Sequence, residues 1–295
     1  MLRNEKKQNG LTEFNRDLVT ASMASLLIAY TTFPVKAFKK YQQAEQKARG
    51  IPFKPFRGST PFVANIVPTS AIQLATKGVL SQCLPENANF LQQLIASGFC
   101  GVTGAITATP VENSIVRQQV MQAGAMPTIK DMLQHGYLRP WKTFYLIAAR
   151  DAIFAMLMLS VLPSLGTYAQ KNNLDARYYW FANIASTAVF TALSHPFDTV
   201  ATNLQMTHER KSSITVAKTL YKKEGMLAFS RGFNARLFLV FAFANGIPPL
   251  KQAGDHYLYG RCEKPSFFKW ATGDSKGVEK ESSPVEEKIN PVRKW

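Results

Sequence analysis

The stretch Phe33-Pro34-Val35-Lys36-Ala37-Phe38-Lys39, running on to Gln43, has two counterparts further along the chain. They are Pro110-Val111-Glu112, running to Gln119, and His195-Pro196-Phe197-Asp198, running to Gln205. In each, a glutamine stands nine residues after the proline, and successive prolines lie 76 and 86 residues apart. Near-periodic self-similarity marks a fold made of repeated supersecondary units, so this frame decides the architecture. Small residues recur at four-residue steps upstream of two of the prolines, as Ala21, Ser25 and Ala29 and as Ser97, Gly101 and Ala105. That spacing lets helix backbones approach closely in lipid.

Each proline also closes a stretch without Asp, Glu, Lys or Arg: 18–35, 87–111 and 178–197. Three more such stretches, 58–76, 152–170 and 237–250, alternate with them. Five of the six have at least eighteen residues, close to the ~20 that a helix needs to cross the hydrocarbon core. The sixth is short, although Phe238 to Phe243 makes it very apolar. Apolar residues make up 46% of the 295 and charged ones 18%, below the usual quarter of soluble domains. Ser, Thr, Gln and Asn inside the spans keep mean hydropathy at −0.10. Such helices suit the wall of a water-filled cavity better than lipid contact all round. A soluble helical bundle is the competing reading, disfavoured by the span lengths and the repeat.

Several chemistries are excluded. Cys83, Cys100 and Cys262 stand in no disulfide or zinc spacing. His135, His195, His208 and His256 form no HExxH pair, and no GxxxxGK[ST] loop occurs. No cofactor, metal or enzymatic activity is therefore expected. The 35 Lys and Arg against 19 Asp and Glu give +16, which basic loops at anionic lipid headgroups account for. No nucleic-acid motif supports the alternative. The segment Met1 to Lys7 lacks an apolar core, so no secretory signal is expected.

A second signature precedes the later spans. Glu224-Gly225 is followed by Arg231-Gly232, and His135-Gly136 stands in the same relation to Lys142-Thr143. In the first repeat only Phe56-Arg57-Gly58 remains. A glycine here ends an amphipathic helix and turns the chain into the next span. With these residues the chain resembles the mitochondrial carrier family over about 15–260. The resemblance implies an all-α membrane protein with six transmembrane helices in three pseudo-symmetric two-helix repeats around a central cavity. The expected divisions are a tail 1–15, repeats 16–86, 87–172 and 173–260, and a hydrophilic tail 261–295. It further implies a multi-pass protein of the mitochondrial inner membrane, acting as a monomer on a small-molecule substrate, with lipid as its other partner.

The resemblance also assigns a gate. Counting each proline as one, acids at position three pair with bases at position six of the next odd helix, and glutamines at position ten brace them. Position three is Lys36, Glu112 and Asp198, and position six is Lys39, Ile115 and Ala201. On this count Lys36 faces Ile115, Glu112 faces Ala201, and only the Asp198–Lys39 pair survives. Glu112 is left to Arg117 or Lys36, since an unpaired intramembrane carboxylate is costly. Gln43, Gln119 and Gln205 remain as braces. The family's acid–base motif at the other end has no match near Gly78, Pro163 or Gln252. Fourteen residues separate Gln43 from Arg57, against twenty-six between Gln205 and Arg231, leaving little room for a first matrix helix. A loosened gate that permits uniport-like movement beside exchange is the expectation.

The family's contact points lie eight residues after the basic residue opening each even span. They fall on Asn65, on Arg150 with Asp151, and on Leu239. Arg236 is an alternative cavity cation, and Phe154 offers a ring for stacking. The tail 261–295 is either a solvated segment or an export signal, as in carrier-like effectors that intracellular bacteria deliver to host mitochondria. Those carry ATP and related nucleotides, and that association places nucleotides first. An Arg150–Asp151 clamp on an amino-acid-like zwitterion, or a transport-inactive membrane scaffold, are the alternatives.

Overall fold

A computed structural model describes residues 2–43, 50, 52–85, 88–122, 124–134, 139–206 and 212–259. The tail 261–295 and His135-Gly136 lie outside them. The described residues form helices and turns, with no strand among them. The long helices are α1 (Leu2–Gln43), α2 (Ser59–Cys83), α3 (Phe90–Met121), α5 (Phe144–Met156), α7 (Ala176–Met206) and α9 (Phe233–Tyr259). Between them stand the short α4 (Ala125–Gln134) and α8 (Ser213–Glu224), and α6 (Leu162–Lys171) continues α5 through a π-helical turn, Leu157–Val161. No short helix stands between α1 and α2 among the described residues, in keeping with the short first connection.

Four segments are long and apolar enough to cross a membrane: Leu18–Gln43, Phe90–Gln119, Phe144–Lys171 and Phe233–Asp255. Six had been expected. Helices α2 and α7 have the length, at 25 and 31 residues, but they carry the polar residues Asn65, Thr69, Ser70 and Gln73, and Thr187, Thr191, Ser194 and His195. Large apolar side chains point outward, among them Leu27, Phe99, Phe181, Leu193 and Phe238, while Lys40, Glu112, Arg150 and Asp198 are buried. This inversion of the soluble pattern is what a lipid-facing surface requires. The described residues are all-helical, with the long apolar segments and outward apolar surface of a multi-pass membrane protein.

The long helices touch in a closed cycle: α1 on α2, α2 on α3, α3 on α5, α5 on α7, α7 on α9 and α9 on α1. Small residues set the closest approach. A Cβ on Gly101 of α3 would lie 2.2 Å from the Asp151 carbonyl oxygen of α5, and one on Gly246 of α9 would lie 2.5 Å from Ile28 of α1. Gly101→Ala is expected to cost about 1–3 kcal/mol, because backbone and not a flexible side chain must yield. Gly78→Ala is the control: nothing lies within 4 Å of its added Cβ. Thermal midpoints in detergent compare the two, and equal midpoints would remove Gly101 from the seam.

The three frame prolines sit inside α1, α3 and α7. A mid-helix proline frees the carbonyl four residues earlier. In α3 that carbonyl belongs to Ile106, and the Trp141 indole donates to it at 2.9 Å. The turns into the even spans meet odd helices in matching ways. A Cβ on Gly58 (φ 90°) would lie 3.2 Å from Ile115 of α3, and one on Gly232 (φ 76°) 3.2 Å from Lys39 of α1. Thr143 holds the third such place, where its hydroxyl accepts from Gln205 of α7 at 3.0 Å. Positive φ makes glycine the suitable residue at the first two. Arg231 pairs with Glu224 beside the Gly232 turn.

Candidate functional site

Between the helices lies a cavity of about 270 Å³. Lys36 of α1, Glu112 of α3, Arg150 of α5 and Arg236 of α9 line it, whereas Lys39, Lys40 and Gln43, further along α1, are buried and do not. The cavity therefore ends on a charged floor at the level of the prolines. Ser25 and Thr32 of α1, with Asn65, Thr69, Ser70 and Gln73 of α2, give it one polar wall. Leu239, Val240, Phe243 and Ile247 of α9, with Phe154, give it an apolar one. All six residues expected to contact substrate, Asn65, Arg150, Asp151, Phe154, Arg236 and Leu239, line this one cavity. Asn65 also donates to Thr69 at 2.8 Å.

The floor differs from the expected one. Lys36 does not face Ile115: its ammonium lies 2.7 Å from Glu112 and 3.5 Å from the centre of the Phe62 ring. Ile115 packs instead with Phe33 and Ala37 in an apolar cluster. Glu112 does not face Ala201, which belongs to the core beside Leu146, Ile147 and Leu204. Besides Lys36, Glu112 has Lys40 at 3.3 Å and Arg150 at 3.7 Å. Of the two partners considered for it, Arg117 is taken by Asp131 of α4, at 2.5 Å. The expected Lys39–Asp198 pair is present at 2.9 Å. Asp198, fully buried, also meets Arg150 at 2.9 Å, Lys40 at 3.3 Å and Arg236 at 3.4 Å. Arg150 reaches sideways to Asp151 as well, at 2.8 Å. Two carboxylates thus hold cations from α1, α5 and α9 together, and the floor is densely paired where an eroded one had been expected.

The three glutamines do not act alike. Gln43 donates to Asp198 at 2.8 Å and is a brace. Gln205 donates to Thr143 and touches no floor charge among the described residues. Gln119 is 5% exposed, and neither polar atom of its side chain has a hydrogen-bond partner among the described residues. A buried amide left unmade costs about 1–3 kcal/mol, so Gln119→Met is expected to be neutral or to stabilise by about 1 kcal/mol. A lowered thermal midpoint in that variant would show that Gln119 has a partner after all.

Lys40 escaped the sequence reading because motif counting selected only its neighbour Lys39. The signal was there: Lys40 follows Lys36 by four residues, which puts both on one helical face.

A cavity with one polar wall above a charged floor, enclosed by helices with apolar outer surfaces, is the kind of site a membrane transporter requires. Residues 172–246, spanning α7, α8 and the first half of α9, match the family profile described as mitochondrial carrier protein. This match over the last third of the helical region supports membership of the mitochondrial carrier family, whose members are transporters. No curated protein matches it.

Proposed function

We propose that this chain moves an anionic metabolite across the mitochondrial inner membrane by alternating access, with a nucleotide as the first candidate. One observation carries the reading: the floor brings five cations, Lys36, Lys39, Lys40, Arg150 and Arg236, against three carboxylates, Glu112, Asp151 and Asp198. The cationic excess of two lies under a cavity partly closed to water, where an anion gains more from charge than it does in bulk. The apolar wall with Phe154 offers a surface for a base or ring. A zwitterion is the second reading, favoured by the adjacent Arg150–Asp151 pair at the cavity wall.

The closed cycle of six long helices, with Gly58, Thr143 and Gly232 each set against the odd helix of the following repeat, supports the six-helix, three-repeat architecture. In that architecture the floor is the gate on the matrix side. The loosened gate inferred from missing motif pairs loses its basis, because other pairs replace them.

Purified protein in liposomes tests the proposal. Saturable uptake of nucleotides or other polyanions, exceeding that of amino acids, is expected. Comparing empty with preloaded vesicles shows whether net movement accompanies exchange. Absence of saturable flux for any solute would leave the scaffold alternative, and uptake of zwitterions alone would favour the second reading.

A further inference from the structure

We propose that Lys40 is the central latch of the closed floor, a gating residue that does not touch substrate. The inference rests on reading the floor as a gate. Lys40 is 1% exposed. Its ammonium donates to Asp198 of α7 at 3.3 Å and to the Thr202 hydroxyl of α7 at 2.8 Å, and forms an ion pair with Glu112 of α3 at 3.3 Å. One side chain from α1 thereby ties both other proline-bearing helices at once. Arg150 also reaches both carboxylates, but from the cavity side, where a bound anion competes for it. Lys40 lies beneath the carboxylates, outside the cavity lining. The floor thus has two layers. Substrate reaches Lys36, Arg150 and Arg236 in the upper one, and Lys40 holds the lower one through the same two acids.

Burial makes this latch strong when made and separable when removed. A desolvated ammonium bound by two carboxylates interacts far more strongly than an exposed pair. When Lys40 is replaced, Glu112 keeps Lys36, and Asp198 keeps Lys39, Arg150 and Arg236. The variant leaves no carboxylate orphaned, and the helices still pack.

The test reads gate opening without any substrate. In a background with Cys83, Cys100 and Cys262 replaced by serine, Ser70→Cys places one thiol at the half-buried cavity wall. Protein in vesicles, inserted in both orientations, is exposed to a charged, membrane-impermeant thiol reagent. Molecules with the open end outward react in a fast phase, and those with the floor outward react slowly, at the rate at which the floor opens. Lys40→Met, and Lys40→Gln as a second variant, are expected to accelerate the slow phase roughly tenfold or more. They should leave the fast phase in place, whereas a general packing defect would change both. A slow phase within twofold of the parent in both variants overturns the proposal. Acceleration of both phases alike overturns it too, since Lys40 would then merely support the fold. Transport by the parent is scored separately. If no solute crosses yet the slow phase responds, the transport reading fails while the latch stands.

Discussion

Asp198→Ala is expected to be the most damaging single substitution in the chain, costing roughly 3–5 kcal/mol of stability. The carboxylate is fully buried and lies within 3.4 Å of Lys39, Lys40, Arg150 and Arg236. Removing it strips four cations of a partner in one step. Lys40 and Arg150 retain Glu112. Lys39 and Arg236 have no other carboxylate in salt-bridge range among the described residues, so two charges stay buried and uncompensated. Breaking a buried pair from one side costs more than the pair itself contributes, because the desolvation of the survivor is no longer offset. Cys100 supplies a reporter: it is 1% exposed and reacts with thiol reagents only as the bundle opens, provided Cys83 and Cys262 are replaced by serine. The thermal midpoint should fall steeply for Asp198→Ala. Adding Lys39→Met should recover part of the loss by removing one of the orphaned charges, a coupling that residues without contact would not show. An unchanged midpoint, or a double variant no better than the single one, would mean that Asp198 does not hold the floor.

Much of this site was legible because helical counting is robust. Eight residues beyond the basic residue that opens a span is a little over two turns, so Asn65, Arg150 and Leu239 share an inward face whatever the details of packing. All three line the cavity. The proline frame likewise placed the floor, since Lys36, Glu112 and Asp198 each stand two residues past a mid-helix proline. Pairing across helices was not legible. The motif count assumes an acid at position three, which looks to position six of the neighbour. With lysine there instead, charge and not register chooses the partner, and Lys36 turns to Glu112, the equivalent position of the next odd helix. Long side chains make this possible, because four methylenes let an ammonium reach across the bundle axis. The same reach admits Lys40, one residue beyond the motif position. Spans were legible as gaps in charge but not as apolarity, because α2 and α7 face part of their polar side chains inward. The Gln119 and Gln205 braces failed for a related reason: the acid–base pairs they were to brace are not formed beside them.

Arg150→Ala is the second large effect, and it falls on transport more than on folding. The guanidinium lines the cavity yet is 7% exposed, held by Asp151 at 2.8 Å and Asp198 at 2.9 Å. Its loss still leaves Asp198 with Lys39, Lys40 and Arg236, and Glu112 with Lys36 and Lys40. No buried acid is orphaned, so the protein should insert and keep most of its thermal stability. An anion entering the cavity, however, loses a partly desolvated charge-assisted contact that is about 2–5 kcal/mol strong, which corresponds to tens-fold or more in affinity. Arg150→Lys keeps the charge but loses the rigid planar fork, which matches a carboxylate or phosphate with two parallel bonds at a small cost in side-chain freedom. The expected order of apparent KM is parent, then Arg150→Lys, then Arg150→Ala. Uptake into preloaded liposomes over a range of substrate concentrations measures it. A floor tie without contact to substrate gives a different signature, with KM unchanged and uptake into empty liposomes raised. That pattern would take Arg150 out of the binding site and leave it beside Lys40 as a second latch.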